Sequence, residues 1–186
     1  MWLGNIRGNR YSNAALSPKI RNYWDYSFDD IARYDLPAAF RYISNFTSSK
    51  IHYIGHSQGT LIMFIALSMK YTHVKENIHT FSALGPVVYL KNVESVLLLR
   101  LMKANTIDTL GVYFYLIKKS GGKIFLFPND REYRMQSLVC KNSRAVCAAG
   151  LKDISEKNNS VNNLERLPVI MGHFPAGSSV KNFIQF

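Results

Sequence analysis

The chain has 186 residues, of which 47% are hydrophobic, 19% charged and 13% aromatic. This length and apolar content suffice for one globular domain with its own core, and they exclude an intrinsically disordered chain. The longest uninterrupted apolar run, Leu61 to Leu67, is far shorter than the roughly 20 residues that a membrane-spanning helix needs. The first residues also lack the pattern of a secretory signal peptide. We therefore predict neither a transmembrane segment nor a signal peptide.

The charge is strongly basic, with 23 Lys and Arg residues against 12 Asp and Glu residues and a formal net charge of +11. The basic residues are spread along the chain, and Lys118-Lys119 is the only adjacent basic pair. A solvated basic surface is the simplest interpretation, and attraction to an anionic lipid interface is the second. Because no dense basic run is present, nucleic acid is not expected as a partner.

Hydrophobic periodicity predicts alternating helices and strands in the first half of the chain. Apolar residues recur every three or four positions over residues 28–43, after a capping-box pattern at Ser27 and Asp30. Pro37 is expected to bend or restart that helix. A buried strand is predicted over residues 51–54, a buried helix over 60–70 and a second strand over 78–84. This order favours an α/β fold with parallel strands and crossover helices.

The alternation stops after Pro86. Residues 93–102 look helical, and residues 111–117 are ambiguous. Two cysteines, Cys140 and Cys147, are too few for a typical zinc site, and the residues alone leave a disulfide and two free thiols equally open. Asn45 and Asn158 begin N-glycosylation sequons, and these favour a secretory route.

One motif carries chemistry. Gly55-His56-Ser57-Gln58-Gly59 fits the G-x-S-x-G nucleophile elbow, and it lies between a predicted strand and a predicted helix, as that motif requires. Ser57 is the candidate nucleophile, and the Gln58 amide at the helix amino end is the candidate oxyanion donor. Gly55 and Gly59 are expected to occupy positions where a Cβ would collide with its neighbours. The alternative is an ordinary strand–turn–helix junction with an incidental serine, which the context disfavours.

Further motifs, in the same order along the chain, resemble those of the acid lipases, the family of gastric and lysosomal lipases and insect lipase 3 enzymes. The matching segments are Trp2-Leu3-Gly4-Asn5-Ile6-Arg7-Gly8-Asn9, Tyr34-Asp35-Leu36-Pro37-Ala38, Tyr53-Ile54-Gly55-His56-Ser57-Gln58-Gly59-Thr60, Ala83-Leu84-Gly85-Pro86 and Gly172-His173-Phe174-Pro175-Ala176-Gly177-Ser178-Ser179-Val180-Lys181-Asn182. The resemblance implies a partial α/β-hydrolase fold. Residues 1–86 would form part of the core with the elbow, 87–171 a helical cap or lid, and 172–186 a return segment toward the core.

The resemblance also implies a function. Ser57 would be the nucleophile, and Gln58 the oxyanion-hole residue, of a lipase that hydrolyses triacylglycerols or cholesteryl esters through an acyl-enzyme. It would act at a lipid–water interface, in lipid catabolism, without a metal or organic cofactor. A secreted or lysosomal location is implied, and with it a Cys140–Cys147 disulfide. The oligomeric state stays open.

The two partners of a hydrolase serine are expected to be absent from these 186 residues. In the acid lipases the triad Asp and His follow the segment that matches residues 172–182, and the second oxyanion donor precedes the one that matches Trp2. Internal candidates are better interpreted as structural residues; they are Asp108, Asp130, Asp153, His73, His79 and His173. His52 and His56 are expected to be packing residues, and Asp35 to belong to a structural hydrogen-bond network.

Two hypotheses of function therefore remain. The first is an acid-lipase-type ester hydrolase, with little or no activity expected of these 186 residues alone. The second is a catalytically inactive, lipase-like chain that binds lipid or a partner. A basic binding module unrelated to hydrolysis is a third, which the elbow disfavours.

Overall fold

The computed structural model describes residues 1–12, 23–89, 124–125, 129–152 and 163–185. The chain divides into two compact units, Met1–Lys91 together with Ser179–Phe186, and Asn92–Ser178. Among the described helices, none has both the length and the apolar character needed to span a bilayer. The helices predicted or left ambiguous over 93–102 and 111–117 lie outside the described residues.

The first unit alternates helices and strands. Its elements are α1 (Phe28–Asp30), a π-helical turn (Ile31–Asp35), α2 (Leu36–Thr47), β1 (Ile51–His56), α3 (Gln58–Ser68), α4 (Thr72–Asn77), β2 (Ile78–Leu84) and α8 (Val180–Ile184). Strands β1 and β2 run parallel, with Gly55 opposite Ala83 and His56 opposite Leu84. This small parallel sheet with its helices confirms the predicted α/β class in part.

The helical segment over residues 28–47 begins and changes pitch where the sequence indicates. The Ser27 amide donates to Asp30 Oδ2 at 2.9 Å, which caps the first turn. The chain then passes through the π-helical turn, and Pro37 lies at the start of α2. Proline lacks an N–H and its ring collides with the carbonyl four residues earlier, so a wider turn before it relieves the clash. The predicted restart at Pro37 is confirmed.

The core of the first unit forms where the π-helical turn, α2, α3 and α4 pack together. Its buried members are Tyr26, Ile31, Ala32, Leu36, Phe40, Ile62, Met63, Ala66 and Val74. The strand predicted over residues 51–54 is confirmed as part of β1, but the prediction that it is buried is wrong. Ile51 and Tyr53 are half-buried, whereas Ile54 is 70% exposed, because side chains alternate along a strand and the described helices cover only one face of β1.

The second unit contains β3 (Ile124–Phe125), α5 (Asp130–Asn142), α6 (Arg144–Lys152), a 3₁₀ turn (Leu164–Arg166) and α7 (Leu167–Met171). The two-residue β4 (Ser178–Ser179) lies at the sequence boundary between the units. Asn129 caps α5, since its Oδ1 accepts from the Glu132 amide at 3.0 Å. A disulfide joins Cys140 of α5 to Cys147 of α6, with their Cα atoms 5.4 Å apart.

Candidate active site

Ser57 occupies the turn between β1 and α3 in a strained backbone conformation. Its φ of 50° and ψ of −119° fall in a region that residues other than glycine rarely adopt. The Ser57 amide donates to the Leu84 carbonyl at 3.0 Å, and its own carbonyl accepts from the Thr60 amide at 2.9 Å. The side chain is exposed, and within the described residues its hydroxyl makes no hydrogen bond. The turn therefore presents a hydroxyl to solvent at the carboxyl end of a parallel strand.

The two glycines of the elbow differ in the space that they leave for a side chain. A Cβ at Gly55 would lie 2.7 Å from the carbonyl oxygen of Gly59, which is backbone and cannot move aside cheaply. A Cβ at Gly59 would meet nothing nearer than the Tyr53 hydroxyl at 3.6 Å, an ordinary contact. The expectation of a steric requirement is confirmed for Gly55 and wrong for Gly59. Tyr53 approaches because its hydroxyl donates to the Gly59 carbonyl at 2.9 Å, and burial raises the pKa of Tyr53 to about 12.

Gln58 is the first residue of α3, so its backbone N–H belongs to the helix turn whose amides have no acceptor within the helix. Those amides and the helix dipole favour negative charge beside Ser57. The Gln58 side chain is also engaged. Its Nε2 donates to Oδ1 of Asn182 at 2.8 Å. Asn182 lies in the last matching motif, but no spacing rule in the sequence indicates that it meets the elbow.

The histidines near the elbow are surface residues. His52 is exposed, with its Nδ1 2.8 Å from Thr80 Oγ1 and its ring edge-on to that of His79 at a centroid distance of 4.6 Å. His56, next to Ser57, is exposed as well. The sequence predicts His52 and His56 as packing residues, and the structure places both at the surface, on the face of β1 that the described helices leave uncovered. None of these rings hydrogen-bonds to Ser57 in the part of the chain that the structure describes.

The remaining internal candidates stand on separate elements. His73 lies in α4 and Asp130 begins α5. His173 is exposed after α7. Asp108 and Asp153 lie outside the described residues.

Asp35 has a structural role, as the sequence predicts. Its Oδ2 accepts from the backbone amide of Arg7 at 2.9 Å, and its Oδ1 from Arg7 Nε at 2.7 Å. A second guanidinium nitrogen of Arg7 lies 2.5 Å from Oδ1. Burial lowers the pKa of Arg7, but the hydrogen bond and the charge of Asp35 outweigh it, so that pKa is raised. This pair fixes the Trp2–Asn9 motif against the π-helical turn.

The modification and metal sites are reported for the described residues alone. Asn45 is exposed near the end of α2, accessible to a glycan, and Asn158 lies outside the described residues. No group of three or more His, Cys, Asp or Glu side chains is placed to hold a metal ion in the ranges that the structure describes.

A cavity of about 980 Å³ lies beside β1. Its lining is mainly apolar and comes from the amino-terminal segment, from α2 and from β1; it includes Trp2, Leu3, Phe40, Ile43, Ile51 and Ile54. Gln58 and Gly59 border the cavity, but Ser57 does not. The cavity therefore borders the elbow, but the Ser57 side chain is not part of its lining.

Comparison with known proteins finds sequence similarity along the whole chain. No protein-family model matches. The chain is 38% identical to gastric triacylglycerol lipase of Rattus norvegicus, 37% to lipase member K of Homo sapiens and 34% to lipase 1 of Drosophila melanogaster. Each alignment covers 100% of this chain, but only 46%, 46% and 41% of the respective relatives. The chain thus spans less than half the length of these relatives.

Proposed function

Because the chain is related to the gastric and acid lipases over its whole length, we propose that it carries the nucleophile and one oxyanion donor of a serine ester hydrolase. The observation that carries the proposal is the exposed Ser57 in a strained turn between β1 and α3. Strain of this kind costs about 1–3 kcal/mol and persists only where the surrounding structure holds it. Hydrogen bonds to Leu84 and Thr60 hold it here.

The proposed chemistry follows from this placement. Ser57 Oγ attacks the ester carbonyl, and the resulting oxyanion receives the Gln58 amide and the positive end of the α3 dipole. Collapse of that intermediate expels the alcohol and leaves an acyl-enzyme, which water then hydrolyses to the free acid. No metal or organic cofactor takes part in these steps.

A base must take the Ser57 proton, and in this fold the base is a histidine oriented by a carboxylate. No His or acidic side chain hydrogen-bonds to Ser57 among the described residues. We propose that the base is not one of the described residues. The same observation favours the second candidate function, a lipase-like chain that is catalytically inactive and binds lipid or a partner.

The substrate class is proposed from the relatives, whose names include triacylglycerol lipases. We propose lipid esters at a lipid–water interface, with residues 87–171 acting as the cap or lid and residues 172–186 as the return segment. A secreted or lysosomal location is part of the same proposal.

Hydrolysis of p-nitrophenyl butyrate tests the proposal, with Ser57→Ala compared with Ser49→Ala, a control at another exposed serine. In the protein that carries this sequence, Ser57→Ala should abolish turnover and Ser49→Ala should not. Turnover that survives Ser57→Ala would contradict the hydrolase. The purified 186-residue chain should show little or no turnover, and Ser57-dependent turnover there would exclude the inactive alternative.

A further inference from the structure

We propose that Asn182 is a positioning residue for the oxyanion donor, because its side-chain amide pairs with that of Gln58. The inference rests on the proposed function for the role of the Gln58 backbone amide, but the pairing itself is an observation. It assigns a function to the segment around α8 that is independent of any triad residue.

The two amides face each other with complementary groups. Gln58 Nε2 donates to Asn182 Oδ1 at 2.8 Å, and Asn182 Nδ2 lies 3.4 Å from Gln58 Oε1. Both residues belong to the first unit, and 124 positions separate them in the sequence. Paired amides of this kind satisfy a donor and an acceptor on each residue.

Asn182 is itself held in place, so it can serve as an anchor. Only 3% of its surface is exposed, and its backbone amide donates to Ser179 Oγ at 2.9 Å. Ser179 is completely buried, and its hydroxyl donates to the Tyr26 carbonyl. The anchor therefore connects to the core through bonds that do not involve Gln58.

The pair adds a side-chain restraint at Gln58 to the restraint that its helical backbone gives. The bonds to Leu84 and Thr60 hold the amide and the carbonyl of Ser57, but neither holds Gln58. A glutamine side chain has many rotamers, and fixing it on a buried anchor fixes the Cα from which the oxyanion-directed N–H projects. Asn182 thus acts through Gln58 and need not touch a substrate.

The test uses Asn182→Ala, Gln58→Ala and the double variant, each made in the protein that carries this sequence. Asn77→Ala is the matched control, since Asn77 is a half-buried asparagine whose side chain bonds within α4. Two quantities are measured. The first is the rate at which an uncharged alkyl fluorophosphonate phosphonylates Ser57, followed by the mass of the intact protein. In this reaction the serine oxygen bonds to phosphorus as fluoride leaves, and the serine proton passes to water. The second is hydrogen exchange at the amides of Ser57 and Thr60.

Each single variant should lower the maximal phosphonylation rate about fivefold, the size expected for one lost amide hydrogen bond. The probe concentration that gives the half-maximal rate should not change, because probe binding is not involved. Exchange at Ser57 and Thr60 should accelerate by a similar factor. The double variant should be no worse than either single one, since both remove the same pair, and Asn77→Ala should match the wild type.

Multiplicative effects of the two single variants, or unchanged exchange at Ser57 and Thr60, would overturn the positioning role. If Asn182→Ala does not fold, Gln58→Ala decides the question, because Gln58 is only half-buried and keeps its backbone amide. If the wild-type protein that carries this sequence is not labelled at Ser57, the proposed function is contradicted, and the exchange measurement then decides on the pair alone.

Discussion

The hydroxyl of Thr60 donates to the carbonyl oxygen of Ser57 at 2.7 Å and accepts the backbone N–H of Val87 at 3.0 Å. Thr60 is completely buried. One side-chain oxygen thus joins the strained turn after β1 to the chain that leaves β2. The two loops that follow the parallel strands are held together at the candidate site through this atom.

Thr60→Val should destabilise the first unit by about 2 kcal/mol. Valine has nearly the same shape but no hydroxyl, so the Val87 amide and the Ser57 carbonyl each lose a buried partner. Thr47→Val is the matched control, because Thr47 is exposed at the end of α2, and it should change stability by less than about 0.5 kcal/mol. Urea unfolding measures both, and equal stabilities of the two variants would show that the buried hydroxyl does not support the turn.

Gly55→Ala should cost more than about 2 kcal/mol, since the added methyl group would stand 2.7 Å from a backbone oxygen. Gly4→Ala provides the comparison, because a Cβ at Gly4 would have no atom within 4 Å. The Gly4 variant should unfold within about 0.5 kcal/mol of the wild type. A Gly55 variant as stable as the Gly4 variant would mean that β1 and α3 can separate at no cost.

Ser57→Gly should raise the free energy of unfolding by about 1 kcal/mol, because glycine adopts the φ of 50° without steric strain. Ser57→Ala keeps a Cβ and should bring no such gain. Both variants remove the hydroxyl, so their difference isolates backbone strain from loss of the nucleophile. Thermal unfolding of the pair measures it, and identical melting temperatures would show that the turn stores no strain.

Asp35→Asn should destabilise the chain by about 1–2 kcal/mol, because it removes charge-assisted hydrogen bonds to a partly buried guanidinium. The exposed Lys181–Asp25 pair, at 3.1 Å, offers a matched control. Asp25→Asn should change stability by less than about 0.5 kcal/mol, since surface ion pairs contribute little. The Asp35 effect should also survive added salt better than the Asp25 effect. Equal and salt-sensitive losses would contradict this difference.

The raised pKa of Tyr53 predicts a specific loss of stability in alkali. The folded chain keeps the Tyr53 proton to about pH 12, whereas an unperturbed tyrosine loses it near pH 10. This contribution is complete below pH 10 and disappears between about pH 10 and about pH 12. Tyr53→Phe loses its bond to Gly59 at every pH but cannot ionise. Urea unfolding at pH 9 and pH 11.5 should show a larger drop for the wild type than for the variant, and parallel drops would contradict the prediction.

Sequence patterns were sufficient where the signal is local. The strand Ile78–Leu84 is confirmed with its bounds, because a β-branched and aromatic run ends at a Gly-Pro break. The position of Ser57 between a strand and a helix is confirmed too, while its catalytic role stays a prediction. Helix α4 went unrecognised, since its six residues bury only Val74 and therefore show no apolar periodicity.

Patterns failed where the outcome depends on what lies next to an element. Burial of β1 required knowing which of its faces the helices cover, and the freedom of Gly59 required knowing where Tyr53 points. The Gln58–Asn182 pair joins two polar side chains across 124 positions. No propensity or periodicity encodes such a contact, because it arises only when the chain has folded back on itself.

The contacts of the carboxyl-terminal segment join residues that are far apart in the sequence, and this separation affects the order in which the fold assembles. Ser179 reaches Tyr26 across 153 positions, and Gln185 reaches Asp29 across 156. Loops of this size close slowly and gain their contacts late. During synthesis the bonds of the Ser57 turn to Leu84 and Val87 can form once β2 has left the ribosome, but the Gln58 side chain must wait for Asn182. The backbone contacts of the Ser57 turn can therefore form before the Gln58–Asn182 hydrogen bond.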